Sequence, residues 1–283
     1  MDRLTQFPTL SHFFAKHPHW QASTSSTDGT SLHQRGTQAK PALDPVRKFA
    51  GGGQTVINYG GNAWMDLWTP VGDYSTSHQR YTAASQALEG GWAVYPQHFQ
   101  TTLGVTYIYW SNGTHGCYNL DCPGFVQTNN AWYLGGTWYN YSTVQKHWGF
   151  RLQWKLIRGN WWFFLEGSGD YSPVGYLPAA TIYGSSQMSR YATHLEFGGE
   201  VGRFPGDHWP QMGSGAMPAA APLAVASQWL IYYDPHNQNG GVGVVPTLSP
   251  RPSPPCYAVQ IIRNSTANGG TFVQYGGEGG DMC

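Results

Sequence analysis

Charge is what this sequence has least of: 11% of its 283 residues are Asp, Glu, Lys or Arg, and only five are glutamate. Lysine plus arginine number 15 and so do aspartate plus glutamate, so no net charge draws the chain toward nucleic acid or an anionic membrane. No apolar run approaches the roughly 18 residues that span a bilayer, so no membrane insertion is expected. The opening MDRLTQFPTLSHFFAKHPHW has an early acid and no continuous apolar stretch, unlike a secretory signal. Also missing are GxSxG, HExxH, a Walker A lysine loop and the Asp-Thr-Gly or Asp-Ser-Gly of pepsin-type enzymes. The run GGVGVV at 240–245 lacks the strand and helix of a nucleotide fingerprint and reads as a loop. Ser214 in MGSGA lacks the elbow spacing of a hydrolase nucleophile. No cofactor is implied.

What the chain has in quantity is aromatic residues, 15%, and 37 glycines, a balance that favours strands joined by tight turns. In FRLQWKLIRGNWWFF, Phe150, Leu152, Trp154 and Leu156 alternate with Arg151, Gln153 and Lys155, the period of a half-buried strand. Arg158, Gly159 and Asn160 then turn it into a second strand. Strand signals recur at NAWMDLWTP, GVTYIYW, ATHLEFGGEV, SQWLIYYD, AVQIIRN and GTFVQYGG. ASQALEGGWAVYP is expected to begin as a short helix and continue as strand, and RPSPPC at 251–256 to be an exposed turn, since proline cannot donate to a sheet. The expected fold is all-β, an antiparallel β-sandwich or jelly roll. Residues 21–46, rich in Ser, Thr and Gly, read as a linker, so residues 1–48 are taken as a leader, linker or propeptide remnant and 49–283 as the folded domain.

The cysteines form a close pair, Cys117 and Cys122, and a C-terminal pair, Cys256 and Cys283. An even count with no second CxxC and no nearby histidine pattern points to two disulfides over zinc. A bridge from Cys256 to Cys283 would close a loop of about 28 residues and stabilise the fold by roughly 3 kcal/mol in the chain-entropy model. Sequons at Asn112, Asn140 and Asn264 are possible glycosylation sites and, with the cysteines, favour an oxidising, secreted setting. His194 and Glu196 alternate on one strand face but are too few for a metal site, so His194 is read as packed or hydrogen-bonded and no metal is expected.

Among the glutamates, Glu89 and Glu200 share a context: each adjoins a Gly-Gly and lies near a large aromatic residue. Glycine permits close backbone approach, and an aromatic wall raises a carboxyl pKa. Two such carboxyls brought together would hold one proton between them, an acid and a base from one residue type. Spacing alone favours the other arrangement, each glutamate on the solvent face of a strand.

Longer stretches discriminate. EGGWAVYP at 89–96, GCYNLDCPGFVQTNN at 116–130, FGGEVG at 197–202, QMGSG at 211–215 and the closing CYAVQ and YGGEGG stand in the order found in neprosins, and the chain closely resembles that family of secreted glutamic endopeptidases over roughly residues 50 to 283. The resemblance implies a sandwich of two antiparallel sheets with a cleft across the concave face, similar to fungal glutamic peptidases. It implies catalysis by Glu89 and Glu200 and disulfides pairing Cys117 with Cys122 and Cys256 with Cys283. Cleavage after proline at acidic pH, known for the family's namesake, implies peptide or protein substrates rich in proline.

On that reading Glu200 is the general base and Glu89 the acid, while Glu196, four residues upstream, flanks the cleft. An unbroken strand would point both to one face, unless the Gly-Gly between them introduces a bulge. Trp92 and Tyr95 are expected as walls of a proline socket and Gln127 as a hydrogen-bonding partner of substrate. The family's Ser-x-Ser-Gln pattern is matched only loosely by YSTSHQ, where His78 holds the usual place of Gln. Two other classes fit the composition: a non-catalytic aromatic-rich module that binds carbohydrate or forms extracellular structure, and a glycosidase with paired glutamates.

Overall fold

Alternation of side chains along each strand builds two antiparallel sheets in the computed structural model, which describes residues 45–166, 171–218, 224–236, 243–263 and 270–283. The strands are β1 (Val46–Asn58), β2 (Gly60–Asp66), β3 (Ser75–Ala83), β4 (Gln86–Val94), β5 (Val105–Ser111), β6 (Gly116–Tyr118), β7 (Val126–Gln127) and β8 (Gly149–Ile157). They continue as β9 (Asn160–Glu166), β10 (Ser172–Pro178), β11 (Ala192–Arg203), β12 (Ala226–Tyr233), β13 (Ser249–Arg251), β14 (Ala258–Arg263) and β15 (Thr271–Gly276). One sheet has seven strands in the order β13-β1-β11-β3-β4-β5-β6, the other eight in the order β14-β15-β12-β2-β8-β9-β10-β7. The fold is an all-β antiparallel sandwich. Among the described residues no helix is long and apolar enough to cross a membrane.

The core lies between the sheets and is aromatic. Tyr81, Trp92 and Phe197 from the first sheet and Trp154, Trp161, Phe163 and Tyr275 from the second are fully buried. Buried side chains of this size bring about 1.5–3 kcal/mol each out of water, which lets a chain poor in charge hold a large sandwich. The β8–β9 hairpin turns at Arg158 and Gly159, both at positive φ, as a two-residue hairpin loop demands. Both faces of β8 are buried beyond Gly149 and Arg151, so the half-buried expectation gives way: Lys155 pairs with Asp234 at 3.1 Å and Arg151 with Glu166 at 2.8 Å, which neutralises charge on the covered side.

Three boundaries differ from the sequence expectation. No helix opens ASQALEGG; Ala84 and Ser85 form the turn of the β3–β4 hairpin, with Ala84 in the left-handed region and Ala83 opposite Gln86. The sandwich starts at Val46, inside the segment assigned to the leader; the rest of that leader, residues 1–44, lies outside the described residues, as do Asn264 and the first half of the 240–245 glycine run. RPSPPC gives its first residue to a strand: Arg251 ends β13 at the sheet edge, and the expected turn follows with Pro252, Pro254 and Pro255 exposed. Disulfides join Cys117 to Cys122 and Cys256 to Cys283, with Cα separations of 6.2 and 5.5 Å.

Candidate active site

The outer face of the seven-stranded sheet carries the site, and strand parity decides what it contains. On β3, Ser77, Gln79 and Tyr81 turn inward, where Gln79 donates to the Leu152 carbonyl at 2.9 Å and Tyr81 to Gln79 at 2.9 Å. Thr76, His78 and Arg80 therefore turn outward. Backbone register then lines up two rows across the strands: Glu196, Arg80, Glu89 and Tyr109 in one, Gly198, His78, Gly91 and Tyr107 in the next. Glu200 stands one row further, opposite Thr76.

Glu89 and Glu200 thus start from β4 and β11, two strand spacings or about 10 Å apart across the sheet and offset along it by the four residues from Thr76 to Arg80, yet their side chains converge. One imidazole nitrogen of His78 and one oxygen of each carboxylate all lie within 4.8 Å of one another. Glycines on either side of His78 make that convergence possible. A Cβ on Gly91 would lie 1.8 Å from the Ser77 carbonyl oxygen, and one on Gly198, whose φ is +151°, 2.4 Å from Gly51 Cα. No side chain fits at either position, so the floor between the carboxylates stays open. The register runs unbroken from His194 to Val201, so the Gly-Gly introduces no bulge and Glu196 shares the face of Glu200.

Glu200 is fully buried and Glu89 is 4% exposed. Arg47, from the start of β1, binds Glu200 Oε1 and donates to Tyr74 at 3.1 Å. Among the described residues Glu200 Oε2 has no hydrogen-bond partner. Burial pushes the Glu200 carboxyl above its ordinary value; Arg47 works against the rise and the charge of Glu89 adds to it. Glu89 accepts from the Tyr107 hydroxyl at 3.2 Å and is ion-paired with Arg80 Nε at 3.3 Å. Arg80 is held above its ordinary value chiefly by Glu89. Across β3, Glu196 faces the same arginine and accepts from Arg251 at 2.8 Å. Glu196 therefore shapes the field around Glu89 through Arg80 rather than only flanking the cleft. The remaining glutamates lie elsewhere: Glu166 pairs with Arg151, and Glu278 is exposed.

The other expected residues divide. Trp92 is a correction: three positions from Glu89, it faces the opposite way, is fully buried in the core and donates to the Asp66 carbonyl at 2.6 Å. Tyr95 joins an aromatic cluster beside the site, 5.3 Å from the ring of Tyr74 and 6.4 Å from that of Tyr118. Gln127 lies in β7, at the edge of the other sheet, and ties its own loop together by donating to the Asn129 and Trp132 carbonyls at 2.9 and 2.6 Å. His194 Nδ1 bonds Thr55 at 3.2 Å, and burial lowers its pKa. Asn140 is exposed, while Asn112 is half-buried and its side-chain oxygen accepts from the amides of Thr114 and His115.

Sequence reasoning missed Arg47, Arg80 and the tyrosines 74, 107, 109 and 118. Tyr107 and Tyr109 were legible as a period-two pair within GVTYIYW, on the parity of β5 that register places beside Glu89. The tyrosine rings approach one another closely, Tyr109 to Tyr118 at 4.9 Å and Tyr107 to Tyr118 at 5.9 Å. Beneath the site, Gln228 of β12 reaches across from the other sheet and donates to Ser77 Oγ, the His78 carbonyl and the Gly198 carbonyl at 2.9, 3.0 and 3.1 Å.

Among solved structures the chain is similar to scytalido-glutamic peptidase with a transition state analog inhibitor, at 10% identity and a TM-score of 0.40, over 81% of this chain and 97% of that one. It is also similar to the same peptidase with a peptide based transition state analog, at 10% identity, TM-score 0.36 and the same coverage. The model of the Neprosin family matches residues 71–278, which include both Gly-Gly glutamates. With that match running over most of its length, the chain belongs to the neprosin family.

Proposed function

We propose that the protein is a secreted glutamic endopeptidase, active in acid, that cleaves peptide bonds after proline. The observation that carries this reading is the convergence of Glu89 and Glu200 over a glycine floor. Two carboxyls so close titrate as a pair and in acid hold one proton between them. Their partners suggest which holds it. Glu89 accepts from Tyr107 and pairs with Arg80, whereas burial raises Glu200 despite Arg47. The roles expected from the sequence are therefore exchanged. Ionised Glu89 takes a proton from water, the resulting hydroxide attacks the scissile carbonyl, and protonated Glu200 polarises that carbonyl and then delivers its proton to the leaving amine.

The half-buried rings of Tyr109 and Tyr118, which stand beside Glu89, suit the rigid pyrrolidine of proline, which stacks on an aromatic face at little entropic cost. Two disulfides and the exposed sequon at Asn140 support a secreted setting. Carboxylate oxygens within 4.8 Å fall short of the separation of about 6.5–9.5 Å at which an inverting glycosidase works.

The test is cleavage of a proline-rich peptide library from about pH 2 to pH 8, read by mass spectrometry, with the parent and the Glu89→Gln and Glu200→Gln variants. Cuts after proline in acid are expected from the parent, with losses of about 10²–10⁴ or more in the variants. Glutamine mimics a protonated carboxyl, so Glu200→Gln should retain more activity than Glu89→Gln; the reverse order would restore the base to Glu200. Cuts that persist in both variants, or a neutral optimum, would sink the dyad. A parent that cuts nothing but binds polysaccharide would favour the carbohydrate module.

A further inference from the structure

His78 has no part in the proposed water activation, yet it stands between the two glutamates. Thr76 Oγ1 lies 3.3 Å from His78 Nδ1, and a hydroxyl that accepts the Nδ1 proton leaves the imidazole lone pair on Nε2. His78 is 1% exposed and its Nε2 has no hydrogen-bond partner among the described residues; the same is true of Oε2 on fully buried Glu200. Two orphaned polar atoms in one buried site each cost free energy that a ligand would recover. The atoms at hand define that ligand.

One imidazole nitrogen and two carboxylate oxygens are a donor set suited to Zn²⁺ and its neighbours, and three protein ligands with an open fourth position are a common arrangement. In a tetrahedral site with bonds of about 2.0–2.2 Å the donor atoms stand roughly 3.4 Å apart. The present spread of up to 4.8 Å closes by about an ångström of glutamate side-chain movement over the glycine floor. The Thr76 hydroxyl on Nδ1 corresponds to the outer-shell partner that orients a ligating histidine. Arg47 and Arg80 oppose a cation, but each is already paired with Oε1 of its own glutamate, and Glu196 faces Arg80 from the other side while holding Arg251. Binding is therefore weaker than at an all-anionic structural zinc site.

We propose that His78, Glu89 and Glu200 bind one divalent ion of the Zn²⁺ class, and that the bound ion silences the dyad by occupying the oxygen lone pairs that water activation needs. The second half of this proposal rests on the peptidase reading; the first does not. The test titrates the full chain with ZnCl₂ by calorimetry at neutral pH and follows the visible spectrum of added Co²⁺. One ion per chain and the intense absorption of a low-coordinate Co²⁺ site are expected in the parent. Binding should weaken by more than about tenfold in His78→Gln and in Glu200→Gln, the least that loss even of an outer-shell partner brings, and stay unchanged in His208→Gln, whose histidine is exposed. Each variant is checked by thermal unfolding, and Glu200→Gln carries the test should His78→Gln fail to fold. No stoichiometric binding by the parent, or binding unaltered in a folded variant, overturns the site. In the peptide assay, run at the highest pH at which the parent still cuts so that protons compete least for the ligands, Zn²⁺ should inhibit the parent, with the half-inhibiting concentration displaced upward in His78→Gln by the same factor. A chain that binds the ion and cleaves nothing keeps the site and loses the peptidase reading; one that cleaves and binds no ion loses the site alone.

Discussion

At Glu200, burial works against the charged carboxylate and the Glu89 charge adds to the penalty, so its folded-state value lies above the ordinary 4.5 despite Arg47. The folded state then holds the proton more tightly than the unfolded chain, and stability is greatest below the ordinary value and is lost as the pH rises through the folded one. Glutamine at this position removes the penalty while keeping the shape. Glu200→Gln should therefore melt at a higher temperature than the parent near neutrality, with the gap closing toward about pH 4; calorimetric scans across that range check it, and a gap that instead widens toward acid would mean that Arg47 keeps the carboxylate ionised in the folded state. The two catalytic candidates were legible because glutamate is so scarce and because both sit beside Gly-Gly. Trp92 could have been set aside from the sequence, since an odd separation of three from Glu89 puts it on the other face of a strand. Arg47 could not have been found, because a site residue at the start of a poorly patterned segment has no local signal.

The elements were read where one face is apolar. Strands β5, β8, β9, β11, β12, β14 and β15 show hydrophobic alternation or continuous apolar runs, and all were anticipated from it. Strand β3 was not, because it carries polar residues on both faces: Thr76, His78 and Arg80 toward the cleft, Ser77 and Gln79 toward the core. Its inward polar groups are satisfied largely by the opposite sheet, through the Leu152 carbonyl, through Gln228 and through Tyr275, whose hydroxyl bonds Ser77 at 2.5 Å, a pairing that no local pattern encodes. Replacing Gln228 by leucine leaves buried acceptors without donors and should cost about 1–3 kcal/mol in urea unfolding. It should also lower kcat/KM while leaving the pH optimum in place, because the glutamates keep their own partners; a displaced optimum would show that Gln228 acts on the dyad directly. Strand β1 escaped notice for another reason: Gly51, Gly52 and Gly53 offer no side chains to alternate, although β1 pairs with β11 along most of its length.

For the whole molecule, the chain end is tied to the beginning of the sandwich. The Cys256–Cys283 disulfide closes the last hairpin, Lys48 donates to the Cys283 carbonyl and its ammonium lies 4.4 Å from the Trp209 ring centroid. Replacing both cysteines by serine should lower the unfolding free energy by about 3 kcal/mol, largely through the freed unfolded chain, and denaturant titration under oxidising conditions reads it directly; an unchanged midpoint would mean that the remaining contacts hold the terminus. The two-sheet architecture was within reach of the sequence, whereas strand order was not, since register between distant segments is set by side chains from both sheets together. One consequence of that register concerns the medium. From Arg251, half in solvent, alternating charges pass through Glu196 and Arg80 to Glu89. Anions that gather on Arg251 loosen its hold on Glu196, and Glu196 then draws harder on Arg80. A buried pair of carboxylates is in this way wired to the salt outside, with the dial four strands from the carboxylate that it tunes.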